Sequence, residues 1–303
     1  MLCAMTICWS MSFIWSKLVV NAGIASEVYL MIRYGMAALL LLPFSLKELR
    51  QAGKRQVKGG LILGVIMLVG MMLQVMGLQY TTPSNSGFIT TAYVVLTPFT
   101  TWLMMRQKPS RKIFLAVGIC LVGIYVLTMQ PGETIQMNIG NVLTLVAAVA
   151  WAFHVTYISV AGQYTTPLVL SFIPFAVTSL GGFLFSIMSG SLAATNADQF
   201  KEAFWPIVLA AIFPTIVANL VQVFAQPHVD TNKAAIIYTM EAVFATIISI
   251  LMGLESWSIS VIAGGAIILV AVVITQFAIP SADGDGSNDP DKASEPGPAA
   301  CKK

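Results

Sequence analysis

Apolar residues run along this chain in long, nearly uncharged stretches that are separated by short polar connections. A membrane-spanning helix needs about 20 mostly apolar residues, and about ten stretches reach that length. Backbone groups inside hydrocarbon find no water to bond, so these stretches are predicted to be helices. The approximate spans are 2–21, 26–46, 59–80, 84–105, 111–129, 139–161, 167–189, 204–226, 232–253 and 257–279.

Composition supports the same interpretation. Hydrophobic residues make up 57% of the chain and charged residues 10%, whereas a soluble domain keeps about a quarter of its residues charged. The predicted fold class is therefore all-α integral membrane, with ten transmembrane helices. From Ser281 onward Asp, Gly, Ser, Pro and Lys predominate, which predicts a disordered cytoplasmic tail over 281–303.

Basic residues indicate the orientation of the spans. Lysine and arginine are concentrated in the connections after the second and fourth spans, at 47–58 and 106–112. Both connections lie on one side, which the positive-inside rule places in the cytoplasm. With an even number of spans both termini are predicted to be cytoplasmic, in a plasma or inner membrane. The net charge of +3 reflects this bias and indicates no nucleic-acid partner.

The order of the spans indicates an internal duplication. Five spans precede a break at Gln130–Gly132 and five follow it, and the third and eighth spans end in similar stretches at Gln79 and Gln226. An odd number of spans in each half turns the second half upside down. We therefore predict two inverted five-helix repeats, over 1–130 and 138–280, which is an architecture of secondary transporters.

Short motifs along nearly the whole chain resemble the EamA-like ten-helix members of the drug/metabolite transporter superfamily. They are Gly-Leu-Gln-Tyr-Thr-Thr from Gly77, Trp-Ala-Phe-His from Trp151 and Glu-Ala-Val-Phe from Glu241. The resemblance implies a carrier of small metabolites, often an exporter, with a central cavity and with spans five and ten as peripheral supports. The chain departs from the family pattern at Ala242, where proline is usual, and after Arg106, where the usual Gly-Glu is absent.

Away from the ends of the apolar spans, three acidic or basic residues lie at membrane depth, where such groups are costly and normally face protein or water. Glu241 is a candidate for proton or cation coupling or for binding a substrate amine; alternatively it is a structural carboxylate bonded to a neighbouring helix. His154 could relay protons or bind substrate, or be a neutral imidazole bonded to another helix. Arg33 could hold a carboxylate or phosphate, or snorkel to the interface, or pair with Glu27.

Amide and phenol side chains are further candidates for a transport pathway. Gln74, Gln222 and Gln226 offer donors and acceptors to an uncharged or zwitterionic substrate, although such groups also join helices to one another. The last two share a helix face because they are four residues apart. Tyr238 precedes Glu241 by three residues on the same face and could donate to it.

Aromatic residues and a proline complete the predicted site. The aromatic candidates to line the cavity are Trp9, Tyr93, Trp151 and Tyr157, although packing is the more common role for any one of them. Pro98 interrupts the fourth span and is predicted to take part in gating, since discontinuous helices often mark the gate of a carrier.

The predicted function is a secondary transporter of small organic metabolites, amino acids among the candidates. It is expected to export its substrate by alternating access, with protons as the candidate coupling ion. Its partners are a small-molecule substrate and the lipid bilayer, and the oligomeric state is left open. No metal-ligand spacing occurs, so no metal, cofactor or catalytic residue is predicted.

Two other classes of function remain as alternatives. One is an intramembrane enzyme that uses His154 and Glu241 as acid and base, although the chain has no HExxH or GxSxG motif. The other is a non-transporting membrane sensor, which the short connections argue against because they leave no signalling domain.

Overall fold

The structure is a computed structural model that describes residues 2–106, 111–128, 138–228 and 231–277. All regular structure in these residues is helical, without a strand, which confirms the all-α prediction for this part of the chain. The predicted break at Gln130–Gly132 and the predicted tail 281–303 lie outside the described residues.

The helices follow one another with short connections. A π-helix at Ala211–Val217 joins α10 to α11, and a 3-10 turn at Gln226–His228 follows α11. The α-helices are α1 Leu2–Asn21, α2 Ser26–Gln51, α3 Lys54–Leu78, α4 Pro83–Thr90, α5 Ala92–Met105, α6 Arg111–Thr128, α7 Ile139–Ala161, α8 Pro167–Ser189, α9 Ser191–Ala194, α10 Ala197–Ala210, α11 Ala218–Ala225, α12 Thr231–Leu251 and α13 Ile259–Phe277.

Many helices are long and apolar enough to cross a bilayer. Large apolar side chains such as Leu39, Phe44 and Met188 are more than two-thirds exposed on the outside of the bundle, where hydrocarbon suits them better than water. The chain is therefore a multi-pass integral membrane protein. The described helical segments of spanning length and hydropathy are Ser26–Gln51, Lys54–Leu78, Pro83–Met105, Ile139–Ala161, Pro167–Ser189 and Ala197–His228. Shorter apolar stretches are Phe114–Val126, Ile237–Leu251 and Ile259–Ile274.

Two predicted spans contain helix breaks that hydropathy does not show. The span predicted over 84–105 is divided into α4 and α5 at Thr91, whose hydroxyl donates to the Phe88 carbonyl at 2.6 Å. The span predicted over 204–226 widens into the π-helix around Pro214. Proline has no amide hydrogen and its ring collides with the preceding turn, so a local change of helix type relieves both problems.

The helices before residue 130 pack mainly against helices after residue 138. The most extensive contacts join α6 to α13, α2 to α8, α3 to α7 and α8, and α1 to α12. The two parts of the chain thus interdigitate.

Most of the buried apolar side chains form two large clusters. Half-buried Trp151 packs against both of them, so the two clusters meet at α7. The first cluster is built around Phe88, Ile89, Tyr93, Tyr238, Ala242 and Ile268. The second cluster is built around Val28, Tyr29, Tyr34, Met71, Phe175 and Ile207.

The contact between α2 and α8 depends on Gly182. A Cβ atom at this position would lie 2.7 Å from both the Glu27 carbonyl oxygen and the Met31 amide nitrogen, and neither backbone atom can rotate away. We expect Gly182→Ala to force the helices apart and to lower the free energy of unfolding by about 1–3 kcal/mol. The measurement is the melting temperature in detergent. The control is Gly118→Ala in α6, where a Cβ meets nothing within 4 Å; equal melting temperatures would contradict the prediction.

Candidate functional site

A cavity lies between the helices and offers about 670 Å³ of space, its opening included. The lining residues come from α1, α2, α3, α4, α5, α7, α8, the π-helix, α11 and α12. Among the described residues, none of α6 or α13 lines the cavity, and these two helices pack against each other instead.

The cavity brings together most of the residues that the sequence singled out. Three candidates do not line it: Gln226 is buried behind it, Pro98 is buried within α5, and Tyr157 packs in a separate apolar cluster. The candidates that line it are Trp9, Arg33, Gln74, Tyr93, Trp151, His154, Gln222, Tyr238 and Glu241.

Arg33 enters the cavity wall from α2 and is only 2% exposed. Its Nε donates to the Thr215 hydroxyl at 2.7 Å, and its Nη1 donates to the Tyr29 hydroxyl at 3.1 Å. The alternatives of snorkelling and of pairing with Glu27 are therefore wrong. Glu27 instead accepts a hydrogen bond from Ser189 at 2.7 Å. Within the described residues Arg33 has no carboxylate partner.

The π-helix explains how Thr215 reaches Arg33. The Thr215 hydroxyl donates to the Ala210 carbonyl at 2.8 Å, across the widened turn, and accepts from Arg33. Pro214 beside it also lines the cavity. The irregular turn therefore fixes the guanidinium in the wall, in keeping with the frequent occurrence of π-turns at functional sites.

Glu241 lies at the centre of α12 and is 5% exposed. Tyr93 and Tyr238 are within electrostatic range of its carboxyl group. Trp9 also lines the cavity, with its ring 5.1 Å from that of Tyr238 in an edge-on arrangement. No salt bridge or hydrogen bond to the Glu241 side chain is found among the described residues, so the structural alternative of a bond to a neighbouring helix gains no support there.

Trp151 and His154 occupy the wall contributed by α7. The Trp151 Nε1 donates to Gln74 Oε1 on α3 at 2.8 Å. Its ring lies edge-on to the His154 ring, with the centroids 5.2 Å apart. His154 is 2% exposed, and its Nε2 has no hydrogen-bond partner in the part of the chain that the structure describes.

Gln226 belongs to the packing between helices. Its Nε2 donates to the Val155 carbonyl at 2.6 Å and to the Ser159 hydroxyl at 3.1 Å, both on α7. Its Oε1 accepts from Gln222 at 3.0 Å and from Tyr238 at 3.4 Å. Its polar groups are therefore engaged within the protein, and it orients two residues that do line the cavity.

Sequence reasoning missed Thr215 and Asn219, which also line the cavity. They precede Gln222 by seven and three residues, so the three residues form a polar stripe at helical spacing on an otherwise apolar segment. That periodicity was the available signal. The aliphatic part of the lining, for example Met67 and Met71, has no comparable mark in the sequence.

These features define an integral membrane protein whose helices enclose a cavity lined by apolar side chains and by a few buried polar and charged ones. A family profile identifies it further: the chain belongs to the EamA-like transporter family, which matches residues 1–129 and 138–277.

Individual relatives agree with the family assignment. An uncharacterized transporter of Archaeoglobus fulgidus is 30% identical over 251 residues, which are 82% of this chain and 76% of that protein. The uncharacterized transporter YyaM of Bacillus subtilis is 20% identical over 256 residues, which are 82% of this chain and 83% of that protein. A solved crystal structure covers 90% of this chain and 96% of its own, with a TM-score of 0.63 at 15% identity, and so shares the fold.

Proposed function

We propose that this chain is a secondary transporter that exports small zwitterionic metabolites, amino acids among them, by alternating access. The observation that carries the proposal is the pair of opposite charges in the cavity lining, Arg33 and Glu241, which form no salt bridge with each other. A buried charge without a partner is costly. A substrate that carries both a carboxylate and an ammonium group would compensate both charges at once.

The two charges belong to different walls of the cavity. Arg33 lies among second-cluster residues, with its guanidinium carbon 5.3 Å from the ring centroid of Tyr34. Glu241 is within electrostatic range of Tyr93 and Tyr238, which belong to the first cluster. The two charges thus come from different helices, α2 and α12, which suits a solute with its charges on two separate groups. The rings of Tyr93 and Tyr238 line the same cavity and also suit an ammonium group, because the faces of aromatic rings attract cations.

The helix contacts support the arrangement as ten spans in two inverted repeats. The first five spans are α1, α2, α3, α4 with α5, and α6; the second five are α7, α8, α10 with α11, α12 and α13. If they correspond in this order, then α2 pairs with α8 and α6 with α13 across the pseudo-dyad. The same correspondence relates the contact between α3 and α7 to the contact of α1 with α10, the π-helix and α11. It also relates the contact between α1 and α12 to the contact between α5 and α7. All of these contacts are present. Two such halves can exchange conformations and open a central site alternately to either side.

The proposal is tested by counterflow in liposomes that contain the purified protein. Liposomes loaded with unlabelled amino acid should accumulate the labelled compound transiently, whereas protein-free liposomes should not. Substrates should also raise the melting temperature in detergent. At a concentration 100 times the Kd, binding adds roughly 2.7 kcal/mol to the free energy of unfolding. Matched solutes without the carboxylate or without the amine should do neither. Exchange of only such singly charged solutes would contradict the proposal.

A further inference from the structure

Polar side chains without internal partners surround the cavity at points that neither charge explains. Within the described residues, the Tyr93 hydroxyl, His154 Nε2 and Asn219 Oδ1 are buried and have no hydrogen-bond partner. Buried polar atoms in proteins are nearly always hydrogen-bonded, and an exception calls for a physical reason. These three residues come from α5, α7 and α11 and all line the same cavity.

Their side-chain types strengthen this observation. Several buried threonines and serines, such as Thr178 and Ser171, also lack partners. A helical threonine or serine can rotate its hydroxyl to the carbonyl of the preceding turn and satisfy itself. A tyrosine hydroxyl or a histidine Nε2 cannot reach its own helix in this way. These groups are therefore free to form hydrogen bonds with a molecule that enters the cavity.

The three residues line the same cavity as the two charges. Asn219 is one helical turn after Thr215, the residue that holds Arg33. Tyr93 is within electrostatic range of Glu241. A solute held by both Arg33 and Glu241 would therefore share the cavity with these groups and with His154.

We propose that Tyr93, His154 and Asn219 form a neutral subsite that selects substrates with an uncharged hydrogen-bonding group, such as a hydroxyl or a carboxamide. The inference rests on the proposed function, in which a zwitterion occupies the cavity. A phenol both donates and accepts, an imidazole nitrogen does either according to its tautomer, and an amide offers both ends. The matching group on the substrate must therefore donate and accept. A purely apolar side group of the same shape leaves all three unpaired.

The test compares polar and apolar zwitterions of nearly equal shape. The pairs are threonine with valine and asparagine with leucine, each measured as a competitor in counterflow and as a stabiliser in detergent. We expect the polar member of each pair to bind about 10- to 100-fold more tightly. Tyr93→Phe and Asn219→Leu should each reduce this preference about tenfold while the apolar member binds as well as before or better.

The preference ratio separates recognition from a structural role, because a merely structural change would weaken both members together. Tyr157→Phe, one turn after His154 and outside the cavity lining, is the matched control and should leave the ratio unchanged. Equal binding of both members by the unaltered protein would overturn the neutral subsite and leave the zwitterion transporter standing. Failure of every zwitterion to bind or exchange would overturn both proposals.

Discussion

Replacing Arg33 with glutamine is expected to weaken the binding of zwitterionic substrates about 100-fold, which corresponds to roughly 3 kcal/mol. The guanidinium is 2% exposed and faces no carboxylate among the described residues, so its charge is available to a substrate carboxylate. Without the guanidinium, the substrate carboxylate would lie in a buried site where little water can take the place of Arg33. The measurement is the concentration of unlabelled substrate that halves counterflow.

Substrate chemistry provides the control for Arg33. An amine analogue that lacks the carboxylate should bind to Arg33→Gln as it binds to the unaltered protein, because it never used the guanidinium. Arg33→Lys should give an intermediate affinity, since lysine keeps the charge but loses the planar fork of donors. Equal losses for the amine analogue and the full substrate would show that Arg33 acts only by holding Tyr29 and Thr215 in place.

The sequence predicted the charged part of the site because charge is rare in its surroundings. Arg33, His154 and Glu241 stand out in spans that otherwise contain apolar and small residues, and all three line the cavity. Neutral polar residues carry no such mark, because an amide or hydroxyl in a membrane helix serves packing as readily as binding. Gln226 illustrates the ambiguity: it shares a face with Gln222, yet the Val155 carbonyl of α7 captures its amide.

The fold shows a similar division between what hydropathy reveals and what it hides. Long apolar runs predict helices because the bilayer requires internal hydrogen bonds. The break at Thr91 has no such signal, since neither proline nor glycine occupies that position. A proline such as Pro214 disfavours a regular helix, but whether the helix kinks, breaks or widens into a π-helix there depends on neighbours such as Arg33, which bonds to Thr215. Contacts between distant helices decide these local details, and a single sequence does not display them.

Replacing Glu241 with glutamine is expected to weaken substrate binding about 100-fold near neutral pH and to remove its dependence on pH. The carboxyl group lies in the cavity wall without a bonded partner among the described residues, so it can hold either a substrate ammonium or a proton. The two compete for one site. Once the solution is acidic enough to protonate Glu241 in the empty cavity, each further pH unit should weaken binding about tenfold.

The same competition would couple transport to a proton gradient. Substrate binding releases a proton from Glu241 and substrate release restores it, so a pH jump across the liposome membrane should drive flux through the unaltered protein. Glu241→Gln should carry the same flux with and without the jump. Binding titrations over a range of about pH 5 to 9 provide the independent measurement, in which the unaltered protein gains affinity as the pH rises and the variant stays flat.

His154 is the matched control, because it also lines the cavity and an unperturbed histidine titrates near neutral pH. Arginine stays charged and tyrosine hydroxyls stay protonated over this range, so Arg33, Tyr93 and Tyr238 do not contribute to the profile. His154→Gln should therefore keep both the gain of affinity with pH and the response to a pH jump. The opposite result, in which Glu241→Gln keeps both pH effects and His154→Gln loses them, would show that His154 carries the coupled proton. Glu241 would then only bind the substrate.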